Sequence, residues 1–377
     1  MKNLPLSYIE IEKENLIHNI KQLRKFIHTK TKISAVVKAN AYGHGDREVV
    51  KILNPYVDYF QINSVEELEK IRKVTKKPIL LLGYVGKNDL SKAIKLGCIL
   101  CVFDMRHALL INEVARRLKI KQKVHIAVDS HLGREGLMPK DLDIFLSEIK
   151  KMKNIIIDGV YSHFANIEDT ADFSHAQRQI DTYKEVIKIF EKHEFKNIKT
   201  HISATSGALA YEKNNGFNNI VRIGIGLYGM WPSSYLEDKW KSKINLKSII
   251  RWVTHVAQVK VLPSGHSIGY GLTYITKKPT TIAVIPQGYA DGLTRLLSNK
   301  GEVLIRGKRA PILGRVAMNM FVVDVSHIDN VLPEDEVVIL GKQLNERITA
   351  EEIALKMGTI NYEVTTHISP LLPRIIV

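Results

Sequence analysis

The feature that most constrains this chain is a repeated alternation of short apolar, β-branched runs with amphipathic helical patterns. The runs are Ile33–Lys38, Tyr59–Ile62, Pro78–Leu82, Ile99–Phe103, Lys123–Asp129, Ile155–His163, Ile198–Ser203 and Asn219–Ile223. Strands that alternate with helices pair in parallel, because each helix carries the chain back to the starting edge. Eight strand–helix units suit a (β/α)8 TIM-like barrel, whose usual size is about 250 residues. A doubly wound open sheet has the same periodicity and is the competing α/β arrangement.

The helical stretches carry their own signals. Between Glu14 and Ile27, the side chains of Leu16, Ile20, Leu23 and Ile27 share one face. Ser64-Val65-Glu66-Glu67 is a capping box that opens a second helix. Asp172–Glu194 is a third long amphipathic stretch.

After Trp240 the pattern changes. Arg251–Leu262, Thr280–Pro286, Glu302–Ile305, Phe321–Val325 and Glu336–Leu340 are strands with turn signals between them, and only Thr349–Met357 looks helical. The 377 residues therefore divide into an α/β barrel domain over 1–240 and a β-rich domain over 241–377.

Composition excludes several function classes. No run is long and apolar enough to span a membrane, and the N-terminus Met1-Lys2-Asn3-Leu4-Pro5 lacks the apolar core of a secretory leader, which points to the cytoplasm. The net charge of +16 is spread along many helices without a zinc-finger or RNA-recognition signature, so it reads as a solvated surface that attracts small anions and not as a specific nucleic-acid site. Cys98 and Cys101 lie within one apolar strand, where residues three apart face opposite sides. They read as core thiols, and no metal site is expected.

The chemistry gathers where barrels place it, at the C-terminal ends of the strands. Lys38 closes the first strand, in Ala35-Val36-Val37-Lys38-Ala39-Asn40-Ala41-Tyr42-Gly43-His44-Gly45. A buried ammonium is costly, and at such a position the amine can lose its proton and condense with a carbonyl cofactor. Arg134 follows the fifth strand, His163 ends the sixth, Ser206 follows the seventh, and Arg222, Gly224 and Ile225 close the eighth. Loops after the last two strands commonly bind phosphate. An imine-forming lysine and a phosphate cup on one rim point to pyridoxal 5′-phosphate. Gly224-Ile225-Gly226-Leu227-Tyr228-Gly229 matches a dinucleotide fingerprint in letters, but no βαβ unit follows it.

Over nearly its whole length the chain resembles the alanine racemases, fold-type III pyridoxal-phosphate enzymes. The similarity is carried by Ala35–Gly45, by Val221–Ile225 with Leu227-Tyr228-Gly229, and by Ile268-Gly269-Tyr270-Gly271. Pro286–Gly292, Gly314–Met318 and Thr359–Glu363 complete an ordered set. The resemblance implies interconversion of L- and D-alanine by two bases, supplying D-alanine for peptidoglycan. Lys38 would hold the cofactor and serve the D-enantiomer, and Tyr270, lent by the partner in a homodimer, would serve the L-enantiomer. Arg222 would contact the pyridine nitrogen, with His163 beside it. Arg134 and the partner's Met318 backbone would hold the substrate carboxylate. Tyr42, Ser206, Gly224, Ile225 and Tyr362 match phosphate contacts, and Tyr289 matches a tyrosine at a narrow entrance.

Three departures stand out. Ala127 occupies the position of a lysine, often carbamylated, that orients the arginine after the fifth strand. Ser130-His131-Leu132-Gly133 alters the usual glycine-rich turn, and Asn319 replaces a common aspartate. A broader racemase acting on serine is an alternative, since an added hydroxyl is hard to reject. A fold-type III decarboxylase would need a cysteine in the β domain, and none follows Cys101. A non-catalytic cofactor-binding protein built on the barrel alone would lack the β domain.

Overall fold

The computed structural model describes residues 4–212 and 218–377. The chain divides into two compact units: one holds Leu16–Ala41 and Val49–Lys247, the other the N-terminal residues to Asn15, Tyr42–Glu48 and Ser248–Val377.

Strand β1 (Tyr8–Ile11) belongs to the second unit. The first unit is built on β2 (Lys32–Val36), β3 (Tyr59–Ile62), β4 (Ile79–Leu81), β5 (Ile99–Val102), β6 (Gln122–Ala127), β7 (Ile155–Tyr161), β8 (Lys199–His201) and β9 (Ile220–Ile223). They are parallel, in the order β8-β7-β6-β5-β4-β3-β2-β9, as the sequence pattern predicts for a barrel. At the seam between β8 and β9, the Asn219 and Arg222 N–H groups donate to the Thr200 and Ser203 carbonyls. Asn218 and Asn219 side-chain carbonyls accept from the Ile202 and Thr200 N–H groups, each at 2.9 Å. These amides take up the backbone pairing that the short β8 leaves open, and the sheet is nearly closed.

Strands β3, β5 and β9 are buried along their whole length, which is why they read as unbroken apolar runs. The first helix, Lys13–Arg24, buries Leu16, Ile20 and Leu23 as its spacing predicts, but it ends before Ile27, which is buried beyond its last turn. Ser64 forms the capping box: its hydroxyl accepts from the Glu67 N–H, and the Glu67 carboxylate accepts from the Ser64 N–H. No helix among the described residues is long and apolar enough to cross a membrane.

The second unit is a mostly antiparallel sheet of β1 with β10 (Ile250–His255), β11 (Gln258–Leu262), β12 (Thr280–Ile285), β13 (Glu302–Ile305), β14 (Lys308–Leu313), β15 (Phe321–Asp324), β16 (Glu336–Gln343), β17 (Glu346–Ile348) and β18 (Arg374–Ile376). β1 pairs antiparallel with β10 and parallel with β18. β14 escapes the sequence pattern because Pro311 and two basic residues interrupt it; it is set by the Arg306-Gly307 hairpin, whose positive φ values fit a tight two-residue turn. A second short helix, Asn361–Thr366, follows Ala350–Met357. Gly43 lies against it: a Cβ there would stand 1.8 Å from the Thr365 carbonyl oxygen, and its φ of +85° favours glycine.

Candidate active site

Lys38 leaves the end of β2 through Val37, whose N–H donates to the Gln61 carbonyl. The next four residues, Ala39 to Tyr42, all have φ between 52° and 55°, a left-handed helical turn without glycine. Each such residue costs about 1–2 kcal/mol, and strain of this kind collects at functional sites. Glu67 holds the turn: beyond its capping role, its carboxylate accepts from the Ala39 N–H at 2.5 Å and from the Asn63 N–H at 2.7 Å. The Lys38 side chain is accessible from the barrel mouth. Its amine nonetheless lies deep enough that desolvation, and then the Arg134 and Arg222 charges, lower its pKa from the ordinary lysine value.

Arg222, on β9, is buried, and no carboxylate among the described residues forms an ion pair with it. It donates to the Ser162 and Ile202 carbonyls at 2.8 Å, and to His201 Nδ1 and His163 Nδ1 at 3.0 Å. Its guanidinium also lies over the Tyr161 ring, 5.5 Å from the centroid. Burial, then the charges of Arg222, Arg134 and Lys38, push His163 down to about 3, so its imidazole is neutral. His201 is held below its ordinary value by burial and Arg222.

Arg134 pairs with Glu135, donating to both carboxylate oxygens. Ala127 is packed with Cys101 and Tyr161 in an apolar cluster, and its methyl group offers Arg134 no polar partner. Asp129 accepts from the Leu132 and Gly133 N–H groups and shapes the altered turn. Ser206 donates to the Glu168 carboxylate at 2.8 Å, and the Gly224 N–H donates to Thr205 Oγ1. Burial raises the pKa of Glu168 against that hydrogen bond.

The barrel unit thus brings together Lys38, Arg134, His163 and Arg222, with Ser206, Gly224 and Ile225 after β8 and β9. Tyr42 and Tyr362 fall in the other unit, ring centroids 6.0 Å apart. That unit also gathers Tyr270, Tyr289 and Met318. The Tyr289 and Ala290 N–H groups donate to the Ala317 and Met318 carbonyls, and a Cβ on Gly271 would meet the Arg315 guanidinium at 2.7 Å. All three side chains are exposed, Tyr270 by 73%.

Residues 11–232 match the alanine racemase N-terminal domain, and 249–376 match the alanine racemase C-terminal domain. The chain belongs to the alanine racemase family. It is 38% identical to alanine racemase 2 of Caldanaerobacter subterraneus subsp. tengcongensis over 97% of this chain and 94% of that one. The structure is similar to alanine racemase of Clostridium difficile 630, with a TM-score of 0.92, 32% identity and coverage of 100% and 97%. It is also similar to alanine racemase of Bartonella henselae with covalently bound pyridoxal phosphate, with a TM-score of 0.85, 26% identity and coverage of 99% and 100%.

Sequence reasoning missed Glu135, Glu168, Asp158, His125 and His201. The last three were readable only as polar residues inside apolar strands. The two cysteines are free and buried, and burial pushes the Cys98 thiol up to about 12.

Proposed function

We propose that this chain interconverts L- and D-alanine with pyridoxal 5′-phosphate held at Lys38, in a homodimer whose subunits complete each other's sites. The observation that carries this is the lysine amine of lowered basicity set beside Arg134 and the Arg222–His163 pair. Those residues fit the cofactor: a nucleophilic amine for its aldehyde, a donor-only guanidinium for a ring nitrogen, and Ser206, Gly224 and Ile225 at the strand ends for a phosphate. Tyr42 and Tyr362 complete the phosphate contacts in this reading.

When bound, the cofactor supplies the electron withdrawal that makes the α-proton of an amino acid labile. The chain's own residues do the rest. Arg134 holds the substrate carboxylate, helped by the partner's Met318. Lys38 takes or returns the proton on one face of the substrate, and the partner's Tyr270 does so on the other. Arg222 has only donors, so it would hold the cofactor's ring nitrogen in its unprotonated form, which would limit electron withdrawal and disfavour side reactions. Tyr289 narrows the entrance to small amino acids. The D-alanine formed serves cytoplasmic peptidoglycan precursors.

The dimer is supported by the exposed large apolar side chains that share a unit with Tyr270, among them Leu272, Ile275, Met318 and Met320. One experiment tests both parts. Lys38→Ala and Tyr270→Phe are each expected to lose racemisation by about 10²–10⁴-fold, the usual worth of a general base. Subunits mixed from the two variants should regain activity, because the heterodimer rebuilds one intact site. Lack of recovery despite subunit exchange would refute shared sites, and full activity in Lys38→Ala would refute the assignment of the amine. Turnover of serine at the rate of alanine would favour the broader racemase.

A further inference from the structure

A file of polar residues runs through the interior of the apolar barrel. Arg222 Nη1 lies 3.0 Å from His201 Nδ1; His201 Nε2 lies 2.8 Å from His125 Nδ1; His125 Nε2 lies 3.3 Å from Asp158 Oδ2. Lys199 Nζ holds the Asp158 carboxylate through both oxygens, at 2.6 and 2.7 Å. His125 and His201 are fully buried. Lys199 and Asp158 open on a cavity of about 390 Å³ at the barrel foot, lined by the N-terminal ends of the strands.

The protons in this file follow from its two ends. A guanidinium has only donors, so His201 Nδ1 must accept from Arg222, and neutral His201 carries its proton on Nε2. That proton is donated to His125 Nδ1, so neutral His125 also carries its proton on Nε2, facing Asp158. From the other end, Asp158 is ionised: although burial opposes it, hydrogen bonds from His125 and Lys199 hold the carboxyl well below its usual range. An ionised carboxylate can only accept. Both ends demand the same arrangement, Arg222 donating to His201, His201 to His125, and His125 to Asp158. Reversing His201 would set a ring N–H against a guanidinium N–H, and reversing His125 alone would set its N–H against that of His201 and a bare ring nitrogen against the Asp158 carboxylate.

The backbone is shaped for this file. β6 and β7 pair in register up to Val124 and Ile157, and then His125 pairs with Gly159. Asp158 is therefore the extra residue of a β-bulge, rare in a parallel pair and a known means of re-aiming a side chain near an active site. Gly159 leaves room for the imidazole, since a Cβ there would stand 2.8 Å from His125 Cε1. Tyr183 fixes the other histidine, its hydroxyl accepting from the His201 N–H at 2.9 Å while donating to the Val160 carbonyl. The His201 ring stacks on Tyr161 at 5.2 Å.

We propose that Asp158 is a remote positioning residue: through the tautomers of His125 and His201 it holds Arg222 in the orientation presented at the barrel mouth. The consequence for activity rests on the cofactor reading above, but the tautomers can be read without it. The test is ¹⁵N NMR of histidine-labelled, cofactor-free protein at neutral pH. Protonated Nε2 and unprotonated Nδ1 are expected at both His125 and His201. Asp158→Asn, whose amide can donate to His125, should mix the tautomers of both rings. In the loaded enzyme it should lower kcat roughly ten- to a hundredfold, the usual loss when an orienting partner is removed, with KM for alanine little changed. His125→Phe interrupts the file midway and should cost a similar factor, and the double variant should lose no more than either single one. A protonated Nδ1 on His201 in the wild-type protein overturns the proposal whether or not any variant folds. Wild-type tautomers in Asp158→Asn, or losses of Asp158→Asn and His125→Phe that multiply, overturn it as well.

Discussion

The Arg134 guanidinium closes on the carboxylate of its own sequence neighbour, Glu135, donating to both oxygens. Ala127, at the position where the resemblance implies a lysine in many relatives, is packed into the barrel core with Cys101 and Tyr161. Arg134 pairs with Glu135 instead, and under the proposed function Glu135 would compete with the substrate carboxylate for the same donors.

Glu135→Gln should therefore lower KM for alanine. The pair is partly exposed, so its strength is about 0.2–1 kcal/mol, and a KM decrease of roughly two- to fivefold is expected. Steady-state kinetics in both directions checks this. An increase in KM would show instead that Glu135 is needed to aim the arginine.

The buried histidines make the cofactor-free protein acid-labile. His125, His163 and His201 are all held below the ordinary histidine value, first by burial. As pH falls below about 6.5, the unfolded chain binds protons that the folded state refuses, and stability declines. For His163 this loss continues down to about pH 3. Denaturant unfolding at a series of pH values should show it, and His163→Asn should reduce the slope near pH 5 by about 1.4 kcal/mol per pH unit. An unchanged slope would mean that His163 is protonated in the folded state.

Glu168 puts a carboxylate against Ser206, where a phosphate is expected. Glu168→Gln should tighten binding of pyridoxal phosphate about fivefold, equivalent to ~1 kcal/mol of like-charge repulsion. Because burial raises its pKa, the wild-type protein should approach the variant as the pH is lowered and Glu168 becomes protonated. Titration of the cofactor-free protein, followed by cofactor absorbance, measures both effects.

Gly159→Ala should be destabilising, because its Cβ would meet the Lys199 carbonyl oxygen at 2.6 Å as well as the His125 ring. Overpacking of this kind costs about 1–3 kcal/mol. A midpoint shift in denaturant unfolding, together with altered His125 ¹⁵N resonances, is the expected result.

What could be read from the residues alone was local. The eight apolar runs, the face of Leu16, Ile20 and Leu23, and the Ser64–Glu67 capping box depend on neighbours a few positions away, and all reappear in the structure. Lys38 was legible because an amine closing an apolar strand is expensive, and Arg222 because it shares that rim.

The rest was decided by closure of the chain in three dimensions. Nothing near Tyr8 signals that it pairs with Val253, and nothing near Asp158 signals a bulge that turns its carboxylate towards His125. His125 meets His201 only because β6, β7 and β8 lie side by side in the barrel wall. Strand periodicity tells which side chains face inward. Which of them touch depends on register, and register is settled by packing and hydrogen bonding between segments far apart in sequence.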